Sequence, residues 1–461
     1  MSVHTLEQTD PDTPVTRALN AAIAQAAASG GGRVVVPPGT YMTGTVFLTS
    51  NVTLELTAGA TLMASTELDE YPELPLRPEF PPHLNRGGAP CHRHLLYAED
   101  ADNVTIEGGG TIDGNVAAFT PGWETKQPFT WTGASERIFV PMLAFLRCRN
   151  LRLRDITIRD SPGWTCHLCL CDNVWIQGVQ LTNYVFAGNS DGFDVDGCRD
   201  VLFANCRIET GDDAIVLKSF PATRGCERVI VSNCIMRTLC AGLKIGTESW
   251  HDVRDIHFHD SIVYQSSRGF QITNLDGACI DGVHVGNLSI DTNTGNLFNR
   301  PIHIDVGRRR RSFLPGVTED TQPPAGVVRN VHLTDIHART DGRVLLTAGD
   351  GGRLEDVHVM NLSIEHPWVE DPADTLHCDT LQGSVACPRA RAACGSVVAE
   401  NIDRLSLHGL RVRYPTQPPG EDFVPKYENG TLVRDPRREF EPMPAFERFT
   451  GIELRDADIQ L

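Results

Sequence analysis

Residues 200–217 read DVLFANCRIETGDDAIVL, and the division of this segment into three short runs decides the fold of the chain. The runs begin at Asp200, Cys206 and Ala214, and polar or glycine-containing turns separate them. The first run has a pattern, a polar residue or glycine followed by an alternating strand, that recurs along the chain. Its other occurrences begin at Asn103, Asn150, Asn173, Arg228, Asp255, Gly282, Asn330, Asp356, Arg404 and Gly451.

The spacing of these runs indicates a chain that winds coil after coil. From Asn150 to Gly282 the successive starts are 23, 27, 28, 27 and 27 residues apart. A period of roughly 20 to 30 residues with short strands is typical of a β-solenoid. We therefore expect an all-β, right-handed parallel β-helix rather than a β-propeller, which would lack these polar-led, helix-free rungs. The later steps of 48, 26, 48 and 47 residues fit either two coils or one coil with a long insertion.

The N-terminal segment predicts a helix that caps the first coil. In residues 14–29, Val15, Leu19, Ala22 and Ile23 fall on one helical face, and three glycines follow. A solenoid needs such a cap because its first coil would otherwise expose its core. We expect a single β-helix domain over residues 1–461, with the cap in 1–32, coils in 33–415, and a C-terminal loop and last rung in 416–461. Insertions that would wall a cleft are expected at 67–96, 113–142, 307–326, 366–395 and 414–447.

Composition narrows the partners and the compartment. The net charge of -18 argues against nucleic acid and anionic membrane surfaces, because both would be repelled. The first twenty residues lack a basic segment followed by an apolar one, so we expect a cytoplasmic protein, or a periplasmic or secreted one if a leader has been removed. The sequence does not indicate an oligomeric state.

The 14 cysteines lie mostly in strand-like segments, where a reduced cysteine behaves as a small buried apolar residue. Cys166, Cys169 and Cys171 are close enough to suggest half of a metal site. No second pair of cysteines or histidines follows at a spacing typical of zinc sites. We therefore expect reduced core cysteines and no metal or other cofactor.

Three aspartates stand out as candidates for chemistry. Asp212 and Asp213 are adjacent and follow Gly211, while Asp191 lies 21 residues before Asp212, about one coil earlier. Carboxylates that repel one another hold a proton more tightly. A protonated carboxyl beside an ionised one is the equipment for glycoside hydrolysis, in which one protonates the leaving oxygen and the other activates water. The alternatives are an aspartate-rich turn bonded to backbone N–H groups, or a calcium site.

With these motifs the sequence resembles glycoside hydrolase family 28, the polygalacturonase family of pectin-lyase-like parallel β-helices. The resemblance is strongest in residues 189–192 (NSDG) and 211–219 (GDDAIVLKS), and it extends to 161–167 (SPGWTCH). Residues 242–248 (GLKIGTE) are similar to a stretch of bacterial exo-acting members. The resemblance implies that Asp212 is the general acid, that Asp191 and Asp213 activate water, and that the anomeric carbon is inverted.

Two departures from the family pattern concern the substrate. Cys240 stands where the family has a histidine, and Gln271-Ile272-Thr273 stands where it has an Arg-Ile-Lys triplet that grips a galacturonate carboxylate. Since that grip needs cations, the sugar is neutral or the cation comes from elsewhere, with Lys244 and Arg268 as candidates. The remaining residues that we expect to bind substrate are Asn189, Glu248, Gln271, His167, His303 and Trp250.

We therefore expect an inverting glycoside hydrolase that acts on pectin-derived or related oligosaccharides, and acts from a chain end. Its substrate would be a galacturonoside, a rhamnogalacturonan or a neutral-sugar glycoside. A β-helix lyase or epimerase is the alternative among enzymes, and it would need an Arg or Lys base and often calcium. The alternative outside enzymes is a carbohydrate-binding β-helix without catalytic activity.

Overall fold

The structure is a computed structural model of the chain. It describes residues 2–7, 13–80, 91–119, 140–185, 187–292, 299–309, 317–318, 320–367, 396–413, 452–455 and 459–460. These residues form two compact units, unit 1 up to Ile235 and unit 2 from Met236 onward, and each is described by itself. The expectation of a single domain stays a prediction.

Unit 1 consists almost entirely of short strands. Its helices are α1 (Thr16–Ala28), α2 (Val116–Phe119) and a 3-10 turn (Leu68–Glu70). Its strands are β1 (Ser2–Thr5), β2 (Gly32–Val36), β3 (Gly39–Thr43), β4 (Val46–Phe47), β5 (Val52–Leu56), β6 (Ala60–Ala64), β7 (Leu74–Pro75), β8 (Cys91–His92), β9 (Leu96–Glu99), β10 (Thr105–Glu107), β11 (Thr111–Asp113), β12 (Leu143–Leu146), β13 (Arg149–Arg154), β14 (Thr157–Arg159), β15 (Cys166–Cys169), β16 (Asp172–Gln177), β17 (Gln180–Thr182), β18 (Phe193–Asp196), β19 (Arg199–Ala204), β20 (Arg207–Thr210), β21 (Ile215–Ser219) and β22 (Glu227–Ser232).

Three parallel ladders run through unit 1, so that each coil contributes one strand to each ladder. The first ladder is β1-β2-β5-β10-β13-β16-β19-β22, and the second is β3-β6-β11-β14-β17-β20. The third is β4-β9-β12-β15-β18-β21. Strands β19, β20 and β21 are the three runs of residues 200–217, so the predicted three-strand coil is confirmed.

Strand β23 (Ile235–Thr238) contains the division between the units, and unit 2 then follows the same plan with longer strands. Its strands are β24 (Ala241–Ser249), β25 (Val253–Val263), β26 (Arg268–Asn274), β27 (Cys279–Asp291), β28 (Arg300–Val306), β29 (Val327–Arg339), β30 (Val344–Ala348), β31 (Arg353–Glu365), β32 (Val397–Glu400), β33 (Ile402–His408), β34 (Arg411–Arg413), β35 (Ile452–Arg455) and β36 (Ile459–Gln460). One parallel ladder is β24-β26-β28-β30-β32-β35. The other is β25-β27-β29-β31-β33-β36, with β34 also paired to β31.

The strand pairing in unit 2 decides between the two explanations of the long steps. β27 pairs directly with β29, and β31 pairs directly with β33. Each 48-residue step is therefore one coil with an insertion. The prediction of a rung start at Gly451 is wrong, because the strand that follows, β35, pairs with β32 in the other ladder. Alternating apolar residues do not distinguish the ladders, since every strand of a solenoid has them.

The polar residues that lead the rungs share one backbone conformation. The ten predicted leads other than Gly451, from Asn103 to Arg404, all have positive φ, for example 55° at Asn150 and 56° at Asp200. Asparagine, aspartate and glycine adopt this left-handed conformation at the lowest cost. In unit 1 the leads also bond to one another: Asn150 donates to Asn103 at 3.0 Å and accepts from Asn173 at 2.6 Å. The recurring polar residue therefore has two roles: it adopts the left-handed conformation that the turn requires, and its side chain forms hydrogen bonds to the equivalent residues of neighbouring coils.

Helix α1 buries Leu19, Ile23 and Ala26 and packs against β1 and β2, as expected of a cap. None of the helices in the described part of the chain is long and apolar enough to span a membrane. Most of the predicted insertions lie outside the described residues, so their expected role in walling a cleft stays a prediction.

Candidate active site

The candidate catalytic carboxylates meet in unit 1 where two neighbouring coils enter the third ladder. β18 and β21 pair with Phe193 beside Ile215, and the backbone N–H of Gly192 donates to Asp213 O at 2.9 Å. Continuing this register sets Asp191 beside Asp213, with Asp212 immediately before it. The structure therefore brings the three predicted aspartates of unit 1 together, because their spacing matches one coil.

Gly211 lets the two coils approach closely at this point. A Cβ atom at Gly211 would lie 2.1 Å from the carbonyl oxygen of Ala187 and 2.8 Å from Ser190 Oγ. Its N–H donates to Ser190 Oγ at 3.0 Å, and that hydroxyl in turn donates to Ala187 O at 2.8 Å. No other residue type fits there without moving the backbone that carries Asn189.

Asp212 is half-buried and is held by donors from both sides. The backbone N–H and the side-chain Nδ2 of Asn189 both donate to Asp212 Oδ2, each at 3.2 Å. The N–H of Asp213 donates to the other carboxylate oxygen, Oδ1, at 3.0 Å. Asn189 has φ 56°, so the left-handed turn at this residue aims both of its nitrogens at one oxygen. This places the predicted substrate residue Asn189 against the predicted acid.

Asp191 is buried, with 2% of its surface exposed, and its Oδ1 accepts no hydrogen bond from the described residues. Burial raises the pKa of Asp191 well above its ordinary value, and the carboxylates of Asp194, Asp212 and Asp213 raise it further, while Lys218 opposes them. A carboxyl that retains its proton near neutral pH is what general acid–base chemistry requires.

Lys218 is the counter-charge of this cluster, and the sequence interpretation gave it no role. Its Nζ lies 3.2 Å from Asp194 Oδ1 and 3.9 Å from the ring centroid of Trp164. Burial raises the pKa of Asp194 to about 8, although the ion pair with Lys218 lowers it. The signal in the sequence was one lysine directly after three apolar residues of the buried strand β21, in register with Asp196.

His167 and Trp164 are buried rather than displayed on a surface. His167 is 0% exposed and packs edge-on against Trp164 at 5.6 Å. Burial, aided by the charge of Lys218, lowers the pKa of His167 to about 3, so the imidazole is neutral. The expected contact of His167 with substrate stays a prediction, and it would need this packing to open.

Unit 2 collects several of the predicted substrate residues in neighbouring strands. Lys244, Gln271 and His303 are in register on β24, β26 and β28, and Arg268 is in register with Arg300. Gln271 and Arg300 lie 3.4 Å and 3.2 Å from the imidazole nitrogen Nδ1 of His303. Burial lowers the pKa of His303 well below its ordinary value, and the cations of Arg300, Arg268 and Lys244 lower it further. The neutral Gln271 is thus surrounded by positive charge.

Arg300 is a further candidate that the sequence interpretation missed. It precedes a proline on β28, and the side chain is 3% exposed. Arg268 is 1% exposed, and its Nη1 lies 3.1 Å from the sulfur of Cys240, the residue expected at the position of the family's histidine. Glu248, also expected to bind substrate, forms a 3.4 Å ion pair with Arg309, and Trp250 is half-buried.

Two solved structures have this fold. An exopolygalacturonase of family 28 from Yersinia enterocolitica matches with a TM-score of 0.67 and 15% identity, over 100% of this chain and 78% of the other. An exopolygalacturonase from Thermotoga maritima matches with a TM-score of 0.60 and 22% identity, over 78% and 85%. At such identities the likeness establishes the fold, and the predicted right-handed parallel β-helix is confirmed.

Sequence comparison leads to the same family. A probable polygalacturonase of Vitis vinifera is 26% identical over 300 residues, which cover 61% of this chain and 59% of the relative. The match thus spans about six tenths of that relative's length. The family model described as "Glycosyl hydrolases family 28" matches residues 34–387, which include both carboxylate motifs and the strands of the cationic group in unit 2. The chain therefore belongs to glycosyl hydrolases family 28.

Proposed function

We propose that the chain hydrolyses O-glycosidic bonds of galacturonan-type pectic oligosaccharides with inversion at the anomeric carbon. The observation that carries the proposal is the cluster of Asp191, Asp212 and Asp213 in unit 1, in which burial and the neighbouring carboxylates raise the pKa of Asp191. One protonated carboxyl and one ionised carboxylate are the minimum that inverting hydrolysis requires.

In this mechanism Asp212 donates its proton to the glycosidic oxygen as the bond to the anomeric carbon breaks. A water molecule attacks that carbon from the opposite face and gives its proton to Asp213, while Asp191, whose raised pKa keeps its carboxyl protonated, positions the water. The products are a free sugar hydroxyl and an inverted hemiacetal, and exchange with solvent restores the protons. The two donors from Asn189 fix the orientation of the Asp212 carboxyl, so that its free lone pairs and its proton point in a defined direction.

The substrate is an acidic sugar rather than a neutral one in this proposal. Gln271 and Thr273 have no charge, but Lys244, Arg268 and Arg300 of unit 2 supply cations. Arginine binds carboxylates through parallel charge-assisted hydrogen bonds, and a buried site strengthens each of them. Action from a chain end is part of the proposal, supported by the similarity of residues 242–248 to exo-acting members.

The decisive experiment measures reducing ends released from oligogalacturonides by wild type and Asp212→Asn. We expect the variant to lose about 10²- to 10⁴-fold in kcat, which is typical for removal of a general acid. Asp200→Asn is the matched control, because Asp200 is an exposed aspartate of unit 1 that pairs with Arg228 at 2.6 Å. Full activity of Asp212→Asn would refute the assignment, and an unsaturated product absorbing in the ultraviolet would favour a lyase.

A second experiment tests the acidic substrate. Arg300→Met should raise KM for oligogalacturonides and leave KM for an aryl glycoside of a neutral sugar unchanged. The matched control is Arg329→Met, since Arg329 is a half-exposed arginine of unit 2 paired with Asp281 at 2.8 Å. Equal effects of Arg300→Met on acidic and neutral substrates would show that this arginine does not recognise the carboxylate. A rapid early fall in polymer length would exclude action from the chain end.

A further inference from the structure

A second group of side chains in unit 1 takes no part in the proposed proton transfers. His167 and Cys169 lie two residues apart on one face of β15, and Cys169 is in register with Asp196 on β18. All three side chains are 0% exposed. An imidazole, a thiol and a carboxyl therefore converge in a dry part of the unit, where each is costly to leave without a partner.

Within this group the imidazole is too far from the carboxylate for a hydrogen bond, and the thiol of Cys169 donates only a long one to it. His167 Nε2 lies 3.6 Å from Asp196 Oδ2, and Cys169 Sγ lies 3.8 Å from the same oxygen. An N–H···O hydrogen bond would bring its atoms to about 2.7–3.2 Å. Neither ring nitrogen of His167 has a hydrogen-bond partner among the described residues. Hydrogen bonds among the described residues therefore do not account for this buried imidazole.

The same distances suit three ligands of one metal ion. The three ligand atoms lie within 4.8 Å of one another. Zinc bonds of about 2.3 Å to sulfur and about 2.0–2.2 Å to nitrogen and oxygen, set at tetrahedral angles, separate the ligand atoms by about 3.4–3.6 Å. The separations of 3.6 Å from nitrogen to oxygen and 3.8 Å from sulfur to oxygen exceed these values by a few tenths of an ångström at most, so small side-chain shifts would close the site.

We propose that His167, Cys169 and Asp196 bind one zinc-type divalent cation, which ties β15 to β18. A neutral imidazole, a thiolate and a carboxylate around a doubly charged ion give a neutral complex, as a buried site requires. Binding replaces the thiol proton of Cys169 and the proton of the Asp196 carboxyl where it is present, and both are released to solvent. The thiolate and imidazole favour zinc over magnesium or calcium, which prefer oxygen ligands.

The surroundings of the three ligands support such a site. Thr223 Oγ1 donates to Asp196 Oδ1 at 2.8 Å, which fixes the carboxylate and leaves Oδ2 directed at the other two ligands. Phe80 and Trp164 pack against the His167 ring, with centroids 5.3 Å and 5.6 Å away, and exclude solvent. A water molecule or a further protein ligand would complete the tetrahedron.

The cysteine cluster in the sequence now separates into two kinds of thiol. Only Cys169 joins the group, because alternation along β15 directs Cys166 to the other face. Cys171 donates to the carbonyl oxygen of Phe145 at 3.3 Å and packs in the core. Cys171 is therefore the matched control, a buried thiol two residues away that has no place in the proposed site.

The test uses the full chain and reads metal binding rather than activity, so its outcome is independent of the proposed hydrolysis. We expect wild type, after removal of loosely bound metal by a chelating column, to retain one zinc per chain by elemental analysis. Cobalt(II) bound in place of zinc should produce the ligand-field absorption bands of a tetrahedral site and a sulfur-to-cobalt charge-transfer band. Cys169→Ser should abolish the charge-transfer band, and Cys171→Ser should keep it.

Asp196→Asn provides a second variant of nearly unchanged shape. We expect it to weaken zinc binding at least tenfold in a competition titration with a chromogenic chelator, with circular dichroism showing that the β-sheet content is retained. Wild type that folds without any stoichiometric metal, and whose melting temperature does not respond to zinc, would overturn the proposal. So would a charge-transfer band that survives in Cys169→Ser.

Discussion

Replacement of Asn189 separates two effects that the structure combines in one residue. Asn189 has φ 56°, and its Nδ2 donates to Asp212 Oδ2 at 3.2 Å. Asn189→Gly removes the side-chain donor and keeps a residue that adopts the left-handed conformation without strain. Asn189→Ala removes the same donor and adds the strain. The two variants should therefore agree in catalysis and differ in stability.

The expected magnitudes follow from these contacts. A hydrogen bond to a charged group contributes about 1.5–3 kcal/mol, so both variants should lose about 10- to 150-fold in kcat/KM if the Asn189–Asp212 bond is needed in the transition state. The backbone N–H of Asn189 remains in both variants and preserves part of the orientation, which favours the lower end of that range. Left-handed alanine costs about 1–2 kcal/mol, so Asn189→Ala should unfold more easily than Asn189→Gly by that amount.

The assay is hydrolysis of oligogalacturonides together with guanidinium unfolding for each variant. Asn205 is the matched control, since it has φ 57° in the same unit and is exposed on a strand connection. Asn205→Ala should show the same loss of stability relative to Asn205→Gly, with kcat/KM unchanged. The reasoning is wrong if Asn189→Gly retains full kcat/KM, or if the alanine and glycine variants are equally stable.

Three further predictions concern stability. Asn150→Gly removes two hydrogen bonds of the asparagine ladder without backbone strain. It should lower the free energy of unfolding, measured by guanidinium titration, by about 1–2 kcal/mol. An unchanged free energy of unfolding would show that the ladder does not contribute to stability. His284 and His332 stack with their ring centroids 4.7 Å apart. Partial burial lowers the pKa of each imidazole, and neighbouring histidines lower it further. The free energy of unfolding should therefore fall as the pH drops below the pKa of an unfolded histidine, by about 1 kcal/mol for this pair when both rings are charged. His332→Gln should reduce that loss between about pH 7.5 and about pH 5, and an unchanged loss would contradict it. The pKa of Asp191 is raised in the folded protein, so the free energy of unfolding should decline as the pH rises above the pKa of an unfolded aspartate. Asp191→Asn should flatten this decline between about pH 4 and about pH 7. An equally steep decline in the variant would contradict the raised pKa of Asp191.

The coil architecture could be predicted from the sequence because its requirement is local. Every turn into a rung needs one left-handed residue, and asparagine, aspartate or glycine supplies it at most rungs. Arg228 and Arg404 have no such preference, yet they have φ 55° and 64°. Each bonds to the aspartate that leads the preceding coil, Arg228 to Asp200 at 2.6 Å and Arg404 to Asp356 at 2.7 Å. An arginine one coil after an aspartate is therefore a signal of the same ladder.

Other features could not be predicted because they depend on which strands become neighbours. The step from Gly282 to Asn330 has the length of two coils, and only the direct pairing of β27 with β29 identifies an insertion. The carboxylates of unit 1 were predicted because both motifs fall one coil apart. Lys218 was missed because its partner Asp194 lies on the neighbouring strand β18, and no motif marks that pair.

The question of substrate charge depends on more than one strand. At Gln271 and Thr273 the family's cations are absent, and a reading of that strand alone favours a neutral sugar. The neighbouring strand supplies Arg300 in register with Arg268, so positive charge is retained around the position where it was lost. His303 lies near these cations, which add to burial in lowering its pKa. In a solenoid, side chains of neighbouring coils stack, so a residue one coil away can serve the same position as a residue two places along the strand. The groups that determine specificity can therefore move from one coil to the next, although no single strand contains them all.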